Sequence, residues 1–289
     1  MSNKILITGA TGNIGTALLK ALSTEKANLR LLVRNEESDN AKKLIEQGYE
    51  VAIGDFSNIP SLLNAMKEIE TLYLLVPSAP NMDELSNNAV NAAKQSGVKH
   101  IVKQSVLGAD VNAMVDIPRL HGIADVYLKN SGIDYTIIQP NSFMQNFLGF
   151  INTIKQQSTI YANYADGKFS AIDVRDIAAV TAKAITTDKY KNEVLAITGP
   201  AAIDTSEVAA AISTAIEREL KYTPVSSEIA KSSMLQMGIP EWIAENLKAF
   251  GELFAAGRAG TVTNTVEEVT GNKAISIQQF ANDFADWFK

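Results

Sequence analysis

The chain contains no cysteine, which excludes disulfides, thiolate nucleophiles and thiolate metal centres. Its only histidines are His100 and His121, too few for a histidine-rich metal site, and no metal is expected. No apolar run approaches the roughly 18 residues that a bilayer-spanning helix needs. A basic segment leading into an apolar one is also missing from the first residues, so a cytoplasmic chain without a signal peptide is expected. Basic residues are in deficit: 26 Lys and Arg against 32 Asp and Glu give a net charge of −6. That balance argues against a nucleic-acid or anionic-membrane partner, either of which favours a basic face. What remains is an ordinary globular composition of 289 residues, enough for one large or two modest domains.

Glycine is sparse but concentrated where the chain begins. The run Lys4-Ile-Leu-Ile-Thr-Gly-Ala-Thr-Gly-Asn-Ile-Gly15 takes an apolar strand through Gly9, Gly12 and Gly15 into a helix with Leu18, Leu19 and Leu22. Bare backbone amides at a helix N-terminus favour a pyrophosphate. Gly9 suits the tight turn, Gly12 the phosphate approach and Gly15 the helix–strand packing. Thr11, Asn13 and Ile14 belong to the same turn and are expected to bind the cofactor with Gly9 and Gly12.

Strand-like runs at 5–7, 29–33, 50–53, 71–76, 100–104 and 135–138 alternate with helical patterns near 13–23, 38–47, 58–68, 83–96 and 119–131. Strands apolar on both faces, separated by helices, predict a doubly wound, Rossmann-type parallel α/β sheet. Gly97 and Gly132 each end a helix just before a strand. Beyond Pro140 the rhythm changes. Residues 143–157 predict a helix, 159–171 a hairpin turning at Asp166-Gly167, 173–186 a helix and 194–198 a strand. Asp204 with Glu207 predicts a capping box for a helix through Glu219, Pro240 opens another, and Ser276 with Gln279 caps a last one. The expected division is a dinucleotide-binding domain over 1–199 and a smaller, helix-rich C-terminal lobe over 200–289.

The end of the second strand discriminates between dinucleotides. Arg34 stands about 20 residues after the glycine turn, where an acid would bind the ribose 2′-hydroxyl of NAD. An acid there repels a 2′-phosphate, whereas Arg grips it, so NADP(H) is favoured. Glu36 and Glu37 follow closely and keep NAD(H) possible. Asp55 and Phe56, after the third strand, are candidates for the adenine, with a helix cap at Asp55 as the alternative. Val76 and Pro77 end the fourth strand and Ser105 the fifth, where ribose and nicotinamide are expected.

Thr8–Gly15, Val33-Arg34, Gly54-Asp55-Phe56, 97–102 and 132–140 together resemble the NmrA-like branch of the atypical short-chain dehydrogenases/reductases, over about the first 190 residues. Within that branch the chain looks most like NADPH-dependent quinone oxidoreductases and triphenylmethane-dye reductases. Other members bind the nucleotide as redox sensors without turnover. The superfamily's Tyr-x-x-x-Lys pair, one helix face with Lys lowering the Tyr pKa, is missing from the expected helix. Its slots hold His121 and Asp125. His121 is therefore the candidate catalytic acid, oriented by Asp125. The alternative is that His121 lines the pocket and Asp125 is a solvated helix residue. A literal match, Tyr164 to Lys168, lies at a turn and is rejected as a catalytic pair.

Reducing a quinone or a dye cation demands less proton handling than reducing a ketone, so the missing pair is compatible with an enzyme. The resemblance implies an NADP(H)-dependent oxidoreductase transferring hydride to a quinone-like or other conjugated small molecule. The rival reading is a catalytically silent sensor acting through a protein partner. Asn141, Phe143, Met144, Phe147 and Trp242 are the candidate substrate pocket, with Met234, Met237 and Phe250 as possible lid residues or plain core. A monomer or homodimer is expected.

Overall fold

The computed structural model describes residues 4–289. Its strands are β1 (Ile5–Ile7), β2 (Leu29–Val33), β3 (Glu50–Ile53), β4 (Thr71–Leu74), β5 (His100–Gln104), β6 (Asp134–Pro140), β7 (Thr159–Ala162), β8 (Glu193–Ile197) and β9 (Lys221–Pro224). Seven of them form one sheet in the order β3-β2-β1-β4-β5-β6-β8, parallel from β3 through β6. The chain works outward from β1 to β3, then crosses back to lay β4 against the other side of β1. Such a switch of direction opens a crevice at the carboxyl ends of the strands, where ligands of parallel sheets bind.

The strands pair in parallel because helices return the chain between them: α1 (Asn13–Ala21), α2 (Asp39–Glu46), α3 (Ile59–Ala65), α4 (Met82–Ser96) and α5 (Asp116–Lys129). Their ends follow local chemistry. Ser38 Oγ accepts from the Ala41 amide and Asn58 Oδ1 from the Ser61 amide, caps typically worth about 1 kcal/mol each. Gly97 and Gly132 take φ of 77° and 81°, the left-handed conformation expected where helix gives way to strand. Leu6, Leu31, Leu72, Ile101 and Ile137 are completely buried along the sheet, each contributing about 1.5–3 kcal/mol of apolar transfer free energy.

The chain forms two compact units that do not follow the expected boundary at 199/200. One comprises residues up to Gln139 together with Ile177–Leu195; the other comprises Pro140–Asp176 with Ala196–Lys289. The second unit carries a 3₁₀ helix at Met144–Phe150 continuing into α6 (Ile151–Gln157), where one unbroken helix was expected. After it come α7 (Val174–Thr186, shared with the first unit), α8 (Thr205–Ile216), α9 (Ser227–Gln236), α10 (Glu241–Ala255), α11 (Thr265–Thr270), α12 (Ile277–Asp283) and α13 (Ala285–Phe288).

The expected hairpin at 159–171 is not formed. β7 pairs in parallel with β9, Thr159 opposite Lys221. The Asp166-Gly167 turn does form, with the Gly167 amide on the Tyr164 carbonyl at 3.0 Å. Its glycine serves a different purpose: a Cβ at Gly167 would run into the backbone of Phe254 on α10. Phe169 stacks on Phe147 and Phe254, with ring centroids 6.1 and 5.2 Å apart, and anchors this unit's aromatic core. The capping box on α8 forms as expected, but the helix stops at Ile216 because Glu217 turns left-handed, short of Glu219.

Candidate active site

Two regions of the first unit lie at the carboxyl ends of its strands. The first is the glycine turn between β1 and α1. Gly9 has φ of 68°, and a Cβ there would come within 2.8 Å of Leu75. A Cβ on Gly15 would fall on the Gly9 carbonyl oxygen, so α1 approaches β1 only because residue 15 is glycine. Gly12 differs: its nearest obstacle would be the Gly9 carbonyl at 3.5 Å, so space lies open in front of it. No side chain caps α1 at Gly12 and its first turn carries no acid. The leading amides, those of Asn13 and Ile14 among them, are thus left for an anion. Thr11 and Asn13 are exposed, whereas the Ile14 side chain is buried. Thr8 Oγ1 accepts from the Leu75 amide at 2.7 Å and so ties the turn to the end of β4.

Arg34 is exposed just past β2. Asp55 is nearby, since the Gly54 amide bonds to the Val33 carbonyl at 2.9 Å. Asp55 does not cap α3; Asn58 does. Its Oδ1 takes the amide and hydroxyl of Ser57, and these bonds, aided by the charge of Arg34, hold the carboxyl below its ordinary value. Phe56 is half-buried and its carbonyl accepts from Asn88 Nδ2. Val76 is buried and Pro77 exposed beyond β4. An uncapped glycine cradle with an Arg at the neighbouring strand end and no acid in the first turn fits a phosphorylated dinucleotide.

The second region joins β5 to α5, and sequence reasoning found only part of it. Asp125 is not solvated but buried, and it does not contact His121 directly in the expected way. Its Oδ1 receives Lys103 Nζ at 2.7 Å, and its Oδ2 receives Ser105 Oγ at 2.7 Å and Gln139 Nε2 at 3.3 Å. The same Lys103 Nζ stands 3.3 Å from His121 Nδ1. Lys103 and Ser105 share one face of β5, while Gln104 points to the other and bonds Tyr73. His121 and Asp125 are one helical turn apart on α5.

Burial pushes the Lys103 ammonium down and the Asp125 charge opposes that. Burial first, then the Lys103 charge, hold the His121 imidazole well below its usual range, so it is neutral at pH 7. The cation that the helix lacks at position 125 is thus supplied from the strand. The signal was a lysine inside a strand apolar on both faces, since a buried lysine requires a partner. His100, by contrast, is held by the hydroxyl of Thr136 at 3.0 Å at the start of β5, and burial pushes it down to about 4.

The remaining candidates belong to the second unit. Asn141 Nδ2 bonds Ser170 Oγ at 2.7 Å and the Ala259 carbonyl at 2.8 Å. Phe143 is half-buried and bridges to Ile172. Met144 and Phe147 lie in the hydrophobic core, closed to solvent. Trp242 is half-buried on α10, and its carbonyl accepts from Asn246. Met237 is exposed, Met234 half-buried and Phe250 packed on the core. Tyr164 and Lys168 diverge, the phenol into the aromatic cluster with its pKa raised to about 12 by burial, the ammonium to Glu207 at 3.2 Å. Among the described residues no cluster of acids and histidines suits a metal, and no helix is long and apolar enough to cross a membrane.

The chain is 34% identical over 284 residues to an NAD(P)H azoreductase of Xenophilus azovorans, covering 98% of this chain and 99% of that protein. It is 26% identical to quinone oxidoreductase 2 of Escherichia coli, covering 84% and 85%. A crystal structure of an NADPH-dependent quinone oxidoreductase of Escherichia coli, complexed with NADPH, superposes with a TM-score of 0.88 at 24% identity over 97% of this chain and 99% of that one, a likeness of fold. The NmrA-like family model matches residues 1–287, and the chain belongs to the NmrA-like family.

Proposed function

We propose that the protein is an NADP(H)-dependent oxidoreductase that reduces conjugated small molecules of the quinone or azo kind by two electrons. The observation that carries this reading is the uncapped, acid-free glycine cradle with Arg34 at the adjoining strand end. The azoreductase relationship over nearly the whole chain agrees with it. The backbone amides of Asn13 and Ile14 would hold the pyrophosphate, since that of Gly12 already donates to the Gly9 carbonyl at 3.1 Å. Arg34 would hold the 2′-phosphate, and Asp55 and Phe56 would border the adenine. Val76 and Pro77 lie toward the ribose and nicotinamide, whereas the Ser105 hydroxyl is buried and taken by Asp125 at 2.7 Å. When bound, the dinucleotide supplies hydride. His121 serves the acceptor as its acid. The acceptor is a small molecule taken from the cytoplasm, with neither nucleic acid nor membrane involved, and the protein acts as a monomer or homodimer.

The test follows NADPH absorbance at 340 nm with a panel of quinones, azo dyes and cationic triphenylmethane dyes, alongside NADPH and NADH affinities by calorimetry. Tight NADPH binding with steady consumption by at least one class supports the reading. Tight binding without consumption overturns it in favour of a sensor.

A further inference from the structure

Lys103, Asp125 and Ser105 form a buried knot that meets His121 through Lys103 and Gln139 through Asp125. Lys103 Nζ donates to Asp125 Oδ1 at 2.7 Å and stands 3.3 Å from His121 Nδ1. Side-chain exposure of 2% for Lys103 and 5% for Asp125 leaves both in the interior. An ammonium has only protons to offer, so Nδ1 facing it must be the unprotonated nitrogen of a neutral ring. The single ring proton is then on Nε2. Among the described residues Nε2 has no hydrogen-bond partner, and the residue keeps 7% exposure, so that N–H is directed out of the knot. Asp125 in turn is saturated by Lys103, Ser105 and Gln139, which fixes where the ammonium sits.

We propose that Lys103 is a positioning residue that locks His121 as the Nε2–H tautomer and backs it with a proton, making His121 a proton donor to the acceptor during hydride transfer. The inference rests on the oxidoreductase reading and adds the identity and source of the proton. For an acceptor X=Y, hydride arrives at X and forms the X–H bond while the π pair moves to Y. Y takes the Nε2 proton, the N–H pair stays on Nε2, and Nδ1 takes a proton from Lys103 Nζ. The imidazole is neutral before and after, with its tautomer exchanged. Lys103 is left as a neutral amine still hydrogen-bonded to Asp125. A solvent proton enters at Nε2 as the Nδ1 proton returns to Lys103, restoring the starting state. The acceptor is reduced by two electrons and the dinucleotide oxidised by two. Without the lysine behind it, donation from Nε2 would leave an imidazolate, a far weaker acid route.

The chain's two histidines make the tautomer directly observable. In protein labelled with ¹⁵N-histidine, two imidazole systems appear in a long-range ¹H–¹⁵N spectrum, and His121→Gln identifies the one at issue. The expected result is a ring protonated at Nε2 and bare at Nδ1 throughout pH 6–8. An Nδ1–H ring or a charged imidazolium at pH 7 overturns the proposal, and this readout needs neither cofactor nor turnover. The second arm uses Lys103→Met with Asp125→Asn, which removes both charges together. Single-turnover reduction of a quinone or azo acceptor is expected to fall about a hundredfold. Reduction of a cationic triphenylmethane dye, which takes hydride without a proton, is expected to fall at least tenfold less. Equal losses for both acceptors, or no loss, overturn the relay. If the wild type reduces no acceptor at all, the oxidoreductase reading fails and the tautomer result is judged separately.

Discussion

The glycine turn and the β5–α5 knot sit in the same compact unit and solve opposite problems. The turn works by having no side chains: an exposed, uncapped helix end that offers backbone amides to a charge arriving from outside. The knot works by having too many: an ammonium, a carboxylate, an imidazole and a hydroxyl, all buried, neutralising one another within the fold. The first is inexpensive to build and waits for a ligand. The second carries a desolvation cost that only complete pairing offsets, so its members stand or fall together. Cofactor binding and proton supply are thereby separable, and substitutions in one region should leave the other intact.

The largest expected effect breaks the knot. Asp125→Ala leaves the Lys103 ammonium buried without its counter-charge, and stability should drop by about 3–5 kcal/mol, read by urea unfolding. A loss below 1 kcal/mol would mean that the lysine escapes to water. His121→Ala should lower turnover about a hundredfold while NADPH affinity stays within twofold; a matching loss of affinity would merge the two regions into one. Arg34→Ala tests the other side. NADPH affinity should fall about 10- to 100-fold, as befits loss of a charged hydrogen-bonding partner, with NADH affinity unchanged in calorimetry. Equal losses for the two cofactors would remove the 2′-phosphate assignment.

A smaller effect serves as a control for buried charge away from both regions. Burial raises the Asp176 carboxyl from 3.8 to about 6, partly offset by the bond it accepts from the Ile275 amide. The folded state therefore binds that proton more tightly than the unfolded chain does. The charged form costs stability above pH 6, and the cost fades as pH falls through 6 toward 4. Asp176→Asn should raise Tm by about 2–4 °C at pH 8 and by much less at pH 4, measured by differential scanning calorimetry. An equal gain at both pH values would point to packing instead of charge.

What sequence could reveal divides along the same line. The glycine spacing, the alternation of elements and the caps at Asp204 and Ser276 are local signals, each written within a few residues, and the structure forms all of them. Lys103 reads locally as one polar residue in a strand, and its partner Asp125 lies on another element, so neither announces the other. Asp166-Gly167 misled for a related reason. A turn signal reports that the chain bends but not where the strand before it finds a partner, and β7 finds β9 in a distant part of the sequence. Met144 and Phe147 show the limit for pockets, since an apolar side chain after a strand reads the same whether it lines a cavity or fills a core.

The interleaving of the two units has a consequence for how the protein is made. The segment Pro140–Asp176 leaves the ribosome before the residues from Ala196 onward with which it forms a unit. During that interval β7 presents an unpaired edge, and Phe147 and Phe169 lack the Phe254 ring that completes their stack. Synthesis therefore passes through a stage at which the nucleotide-binding half can assemble while a sticky remnant of the other half hangs from it. A chain truncated near residue 199 would be arrested at that stage, an aggregation-prone intermediate and not a smaller working domain.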